Sequence, residues 1–95
     1  MSAKLLRKAL RFTGDVQGVG FRWRAEHTAN ALGATGWVRN NADGSVSMAL
    51  QGTEAQINGV ILAVERGTYV RIENLWAKTV PVVEDEHGFT VLDEV

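Results

Sequence analysis

Apolar and polar residues alternate in three stretches of the chain, and each alternation predicts a β-strand. The first strand is predicted over residues 5–13 and the second over Thr35–Asn40. The third strand carries Val46, Met48 and Leu50, separated by small or polar residues. Residues 40–44 (NNADG) lie between the second and third strands and have the composition of a turn, which predicts a hairpin.

Two other stretches have apolar residues at helical spacing. The first helix is predicted over Phe21–Leu32, with Gly33 as its C-terminal cap. The second helix begins after Thr53 and runs to about residue 66, because Thr53 and Gln56 have the spacing of a capping box. The predicted buried stripes are Phe21, Ala25, Ala29 and Leu32 in the first helix and Ile57, Val60, Ile61 and Val64 in the second.

A fourth strand, bent or irregular, is predicted over residues 69–80, where Pro81 ends it. A short closing strand with Phe89 and Val91 follows a charged turn over residues 84–88. The order of elements predicts an α+β fold, a ferredoxin-like split β-α-β sandwich. We therefore expect an antiparallel sheet of four to five strands with two helices on one face, in one domain over residues 1–95.

Composition limits the classes of function. The chain has 95 residues, a formal net charge of −1 and no cysteine. The charge disfavours a nucleic-acid partner, and the lack of cysteine excludes disulfides, thiolate metal sites and a cysteine nucleophile. No apolar run is long enough to span a membrane, and the N-terminus has no signal-peptide pattern. We expect a cytoplasmic monomer with no membrane and no nucleic-acid partner.

Residues 14–22 (GDVQGVGFR), between the first strand and the first helix, are rich in glycine and end in an arginine. A glycine-rich loop at a helix N-terminus can bind an anion through its backbone N–H groups. Gly18 and Gly20 permit positive φ, and Arg22 adds a planar cationic fork. The spacing fits neither a Walker A loop nor a dinucleotide loop. The alternative is a tight turn with a solvated arginine.

Two segments together resemble the signatures of the acylphosphatase family. Residues 14–22 look like the first signature. Residues 36–40 (GWVRN), followed by Gly44, Val46 and Gly52, resemble the second signature in sequence and spacing. The resemblance covers essentially the whole chain. It departs from the family at Asp15, where similar sequences often have a basic or neutral residue, and a carboxylate facing the loop would repel an anion.

The resemblance implies hydrolysis of acyl phosphates to a carboxylate and inorganic phosphate. It implies that Arg22 holds the phosphate and that Asn40 positions the attacking water. The implied phosphate-binding residues are Gln17, Gly18, Val19, Gly20, Phe21 and Arg22. The expected partners are a small acyl phosphate substrate and inorganic phosphate or sulfate as a site ligand. No cofactor and no metal are expected, and the substrate's own phosphate oxygen takes the proton from water.

The other polar and aromatic candidates are expected to have no catalytic role. Arg24 lies about 200° around the helix from Arg22 and is expected in solvent. Arg39 alternates with Asn40, so it points to the opposite face of the strand. His27 and His87 are expected at the surface. The tryptophans Trp23, Trp37 and Trp76 are expected to serve packing or the surface.

Two rival functions stay open on the sequence. One is a binding module of the same architecture, such as an RNA-recognition or small-molecule regulatory domain. The third strand lacks the aromatic-rich RNA signature, which argues against the first of these. The other rival is a component of a larger hydrogenase-maturation factor, in which a similar domain handles carbamoyl phosphate. Because the chain ends at Val95 without zinc-finger cysteines, we expect a stand-alone enzyme.

Overall fold

The computed structural model describes residues 4–93, so both ends of the predicted domain lie outside the described residues. Five strands and two helices follow each other in the predicted order. The helices are α1 (Phe21–Leu32) and α2 (Glu54–Glu65). The strands are β1 (Leu6–Asp15), β2 (Thr35–Asn40), β3 (Val46–Gly52), β4 (Arg71–Val80) and β5 (Phe89–Val91). None of the described helices is long and apolar enough to cross a membrane.

The strands form one sheet in the order β4-β1-β3-β2-β5. The pairs β1–β3, β1–β4 and β2–β3 are antiparallel, as predicted. β5 pairs with β2 in parallel, so the sheet is mixed at this edge rather than antiparallel throughout. The physical reason is the path of residues 81–88, which cross from the β4 edge to the opposite edge and enter β5 in the direction of β2.

Both helices pack on one face of the sheet, where alternate strand residues form the core. Phe12 of β1 meets Phe21 of α1 edge to face, with ring centroids 4.9 Å apart. The predicted stripes are buried at Phe21, Ala25, Ala29, Ile57, Val60 and Val64. Leu32 departs from the prediction because it is 42% exposed at the last position of α1. Its methyl group instead lies against Gly59 of α2.

The predicted irregularity of the fourth strand is a register shift opposite Gly14. Thr13 pairs with Asn74 and Gly14 pairs with Ile72, so the pairing of β1 with β4 skips Glu73. Gly14 has φ 117°, and a Cβ atom there would lie 2.3 Å from the carbonyl oxygen of Arg71. Glycine therefore lets the end of β1 approach β4 closely, and this end of β1 leads directly into the predicted anion loop.

Candidate active site

The loop between β1 and α1 (residues 16–20, here the 16–20 loop) turns at two glycines in the left-handed region. Gly18 has φ 72° and Gly20 has φ 80°. Apart from its chain neighbours, no atom of residues 4–93 lies within 4 Å of a Cβ atom built on either glycine. The glycines are therefore required for the backbone conformation and not for a close protein contact, and the space beside them is open to a ligand.

The N-terminus of α1 begins immediately after this loop and has no side-chain cap. Gly20 is the N-cap residue, and the first turn contains no acidic residue. The N–H of Arg24 donates to the carbonyl of Gly20 at 3.0 Å. The N–H groups of residues 21–23 precede this bond and have no intrahelical acceptor. These donors, together with the positive end of the helix dipole, favour an anion at this end of α1.

A cleft of about 320 Å³ opens at the same helix end. It is lined by Val16, Gly18, Gly20, Phe21, Arg22, Trp23, Glu26 and Val91. The ion pairs of the described residues are Arg7–Glu86 and Arg11–Asp43, and neither includes Arg22. Arg22 therefore brings a cationic guanidinium, without a carboxylate partner in that part of the chain, to the wall of the cleft.

The structure brings four of the six predicted phosphate-binding residues to the cleft: Gly18, Gly20, Phe21 and Arg22. Val19 does not line it and packs against the hydrophobic core. The Gln17 side chain turns away, because its Nε2 donates to the carbonyl oxygens of Asn41 and Ser45 at 2.8 and 2.9 Å. Only the backbone of Gln17 thus stays available to a ligand.

Asn40, the predicted water-positioning residue, is the last residue of β2 and is 5% exposed. It does not line the cleft. Its Oδ1 atom is buried and has no hydrogen-bond partner among the described residues. The next residue, Asn41, accepts the bond from Gln17, so the 16–20 loop is fastened one residue away from Asn40. An unsatisfied amide oxygen at this place can accept a hydrogen bond from a water molecule.

The segment between β2 and β3, which its composition predicts only as a turn, forms a polar network. Asn41 Nδ2 donates to the hydroxyl oxygens of Ser45 and Ser47 at 3.0 and 2.7 Å. Ser45 donates its hydroxyl and its N–H to Asp43, which also pairs with Arg11. These bonds lower the pKa of Asp43 to about 2. The bond from the Ser45 hydroxyl has the largest effect, followed by the bond from the Ser45 N–H and then the bond from Arg11. The signal in the sequence is the Asn-, Asp- and Ser-rich composition, which favours side-chain bonds to the backbone.

Of the remaining candidates, Trp23 lines the cleft and the others do not. Arg39 is on the face opposite Asn40, where its guanidinium lies 5.3 Å from the ring centroid of Trp37. His27 is exposed and stacks on Trp23, with centroids 3.9 Å apart. Asp15 is exposed and does not line the cleft. Within residues 4–93, no three His, Cys, Asp or Glu side chains are grouped as metal ligands would be.

Comparisons with known proteins show the family to which the chain belongs. The acylphosphatase family model matches residues 8–91. An acylphosphatase of Lactobacillus johnsonii is 40% identical over 85 residues, which is 87% of this chain and 93% of that protein. One from Clostridium acetobutylicum is 33% identical over 90% of this chain and 96% of its own length. The crystal structure of acylphosphatase from Bacillus subtilis superposes with a TM-score of 0.83 at 28% identity, covering 92% of this chain and 98% of that one. The chain therefore belongs to the acylphosphatase family of hydrolases.

Proposed function

We propose that this enzyme hydrolyses acyl phosphates in the cleft at the N-terminus of α1, with the phosphate held by the 16–20 loop and Arg22. The observation that carries the proposal is the helix end that has no side-chain cap and lies in a cleft lined by Gly18, Gly20 and Arg22. Backbone N–H groups and one guanidinium supply fixed donors to the phosphoryl oxygens. Such donors stabilise charge in the transition state because they need no reorganisation during the reaction.

Asn40 is assigned to the attacking water. Its buried Oδ1 accepts a hydrogen bond from that water, and the bond from the Gln17 side chain to the Asn41 carbonyl fixes the distance of Asn40 from the loop. A side-chain amide does not titrate, so this group orients the water without removing its proton. The contribution is therefore one of positioning, and loss of the amide lowers kcat while leaving the phosphate site in place.

The reaction needs no protein base. The water oxygen bonds to phosphorus, the bond between phosphorus and the acyl oxygen breaks, and its electron pair leaves with the carboxylate. One water proton moves to a phosphoryl oxygen of the substrate, which gives a carboxylate and dihydrogen phosphate. A carboxylate is a good leaving group, so the enzyme contributes charge stabilisation and position rather than a nucleophile. The mechanism is metal-independent and substrate-assisted.

The direct test is release of inorganic phosphate from an acyl phosphate with an uncharged acyl group, such as 4-methylbenzoyl phosphate, with and without a chelator. We expect phosphate release by the wild type at the same rate in both cases, and competitive inhibition by inorganic phosphate or sulfate. An enzyme that binds phosphate and releases none from several acyl phosphates would be a binding module. Activity that is lost with chelator and restored by Mg²⁺ would contradict the metal-independent mechanism.

We propose that the enzyme acts as a monomer, with Gly18, Gly20 and Arg22 of one chain forming the complete phosphate site. Specific activity independent of protein concentration, measured together with the mass by light scattering, tests this. A specific activity that falls on dilution together with the mass would contradict it.

A further inference from the structure

The cleft is also lined by Trp23, Glu26 and Val91, here called its far part, and their chemistry differs from that of the phosphate-binding end. Trp23 and Val91 present apolar surface there and are 60% and 38% exposed. The Trp23 ring is held by its stack on His27, and His27 Nδ1 lies 3.1 Å from the carbonyl oxygen of Trp23. This wall can cover the acyl part of a substrate whose phosphate lies at Arg22, because an oriented aromatic ring offers apolar area at little entropic cost.

Glu26 places a negative charge on the same wall. It lies four residues after Arg22 on α1, so the two Cα atoms are roughly 40° apart around the helix and about 6 Å apart along its axis. Both side chains line the cleft, and no ion pair of the described residues joins them. The cleft therefore has a cationic end at Arg22 and, one turn further along the helix, an anionic group at Glu26.

We propose that this far part is an acyl subsite in which Glu26 selects the substrate. The preferred class is an acyl phosphate with an apolar acyl group that is neutral or cationic. An acyl group that carries a second negative charge is disfavoured, because its charge would lie beside the Glu26 carboxylate while its phosphate is held at Arg22. This assignment rests on the proposed function of the cleft. The alternative is that Glu26 is a solvated carboxylate of the helix surface with no effect on selection.

Two rigid substrates of similar size separate these alternatives. The compounds are 4-methylbenzoyl phosphate, whose acyl group is neutral, and 4-carboxybenzoyl phosphate, whose acyl group carries a carboxylate that cannot fold back on the phosphate. The quantity measured is the ratio of kcat/KM for the carboxylated compound to that for the methyl compound. Using the ratio removes effects of a variant that act equally on both substrates.

Glu26→Gln keeps the size of the side chain and removes its charge. At low ionic strength we expect the ratio to rise roughly three- to tenfold. This is the effect expected when one partly exposed charge beside the carboxylate of the substrate is removed. In about 1 M salt the increase should vanish, since screening is then nearly complete. Glu26→Lys should raise the ratio further. The matched control is Glu65→Gln, which makes the same charge change at an exposed position of α2 outside the cleft.

The outcomes distinguish the subsite from the underlying function. If the wild type is active and the ratio at low salt stays at the wild-type value in both Glu26→Gln and Glu65→Gln, Glu26 does not select the substrate. The proposed hydrolysis is not affected by that result. A ratio that rises equally in both variants also overturns the selection by Glu26, because the effect is then one of net charge. A wild type that releases phosphate from neither compound overturns the proposed function and the selection with it. Thermal melting of each variant shows that it is folded.

Discussion

The side-chain amide of Gln17 donates a hydrogen bond to the main-chain carbonyl of Asn41 at 2.8 Å, across 24 positions of the chain. The same nitrogen donates to the carbonyl of Ser45 at 2.9 Å. These bonds fasten the 16–20 loop to the turn that follows β2. Since Asn41 is next to Asn40, one side chain sets the spacing between the proposed phosphate site and the proposed water site.

Gln17→Ala should therefore weaken phosphate binding without unfolding the protein. Loss of two hydrogen bonds of about 1 kcal/mol each predicts an increase of roughly 5- to 30-fold in KM and in the inhibition constant for phosphate. Gln17→Glu should be at least as damaging, because a carboxylate cannot donate to the two carbonyls. Amide hydrogen exchange of the loop should become faster in both variants. Unchanged inhibition by phosphate together with unchanged exchange would show that the loop holds its conformation without this anchor.

Arg22→Ala should reduce kcat/KM by at least roughly 10²-fold, comparable to the loss of one oxyanion donor. Arg22→Lys should restore little, because an ammonium lacks the planar fork that binds two oxygens at once. Arg24→Ala is the control, because it removes the same charge two residues away from Arg22. Arg24 does not line the cleft. Initial rates of phosphate release at several substrate concentrations give the comparison. A larger loss in Arg24→Ala than in Arg22→Ala would overturn the assignment of the cationic donor.

Asn40→Ala should lower kcat strongly while inorganic phosphate still inhibits competitively with a similar inhibition constant. The reason is that Asn40 does not line the phosphate cleft, and its buried Oδ1, which has no hydrogen-bond partner within residues 4–93, is proposed to accept a bond from the water. Thermal melting must accompany the kinetics, because Asn40 is buried at the end of β2. A folded variant that turns over normally but no longer binds phosphate would reassign Asn40 to the anion site.

The pH dependence of stability should report the ion pair between Glu86 and Arg7, at 2.8 Å. Burial opposes ionisation of Glu86, but the hydrogen bonds from Arg7 and Thr35 outweigh it and lower its pKa below 4.5. A lowered folded-state pKa contributes stability that is present above the unfolded value and lost as pH falls through the folded value. Glu86→Gln should cost about 1.5–3 kcal/mol of unfolding free energy at pH 7, the range for hydrogen bonds to charged groups.

The difference between wild type and Glu86→Gln should shrink as pH falls from 4.5 through the lower pKa of the folded protein, because the wild-type carboxyl then becomes uncharged like the amide. Urea denaturation at a series of pH values measures this difference. Glu65→Gln, at an exposed position on α2, is the control and should show a small difference at every pH. If the variant loses the same free energy of unfolding at pH 3 and at pH 7, Glu86 contributes through the shape of its side chain and not through its charge.

Local signals in the sequence were sufficient for the elements that depend on neighbouring residues. The Thr53–Gln56 capping box is formed in both directions, and Gly33 caps α1 in the left-handed conformation. The glycines of the 16–20 loop have the positive φ that was expected. Each of these features is decided within a few residues of chain, where propensity and hydrogen-bonding chemistry act directly.

Features decided by distant contacts were not predictable in the same way. The direction of β5 depends on residues 81–88, which are held across the sheet by the bonds Val83–Gln51 and Glu86–Arg7 over 32 and 79 positions. Arg7 is buried beneath this segment. The alternation of residues in β1 predicts instead that Arg7 lies in solvent. At the site, the sequence identified Gln17 as part of the loop. Only the fold shows that the Gln17 side chain donates to a carbonyl of the β2–β3 turn and that Glu26 and Val91 line the cleft.

The last prediction concerns the proton that leaves the attacking water. His27 is exposed, stacks on Trp23 and does not line the cleft, and His87 is exposed in the segment before β5. The Asn40 amide does not titrate, and the Arg22 guanidinium is a donor that cannot accept a proton from water. A substrate-assisted reaction then has no protein base, so the slope of kcat/KM with pH should follow the phosphate ionisation of the substrate.

His27→Gln and His87→Gln, alone and together, should therefore keep the shape of the pH profile of kcat/KM for one acyl phosphate. His27→Gln removes the ring that supports Trp23, so its expected effect is a change in KM at every pH rather than the loss of one limb. His27→Phe is the matched variant, because it keeps an aromatic ring against Trp23 and removes the titratable nitrogens. If a limb near neutrality disappears in both His27 variants, that histidine takes the proton. The mechanism would then be general-base catalysis instead of transfer to the substrate's own phosphate.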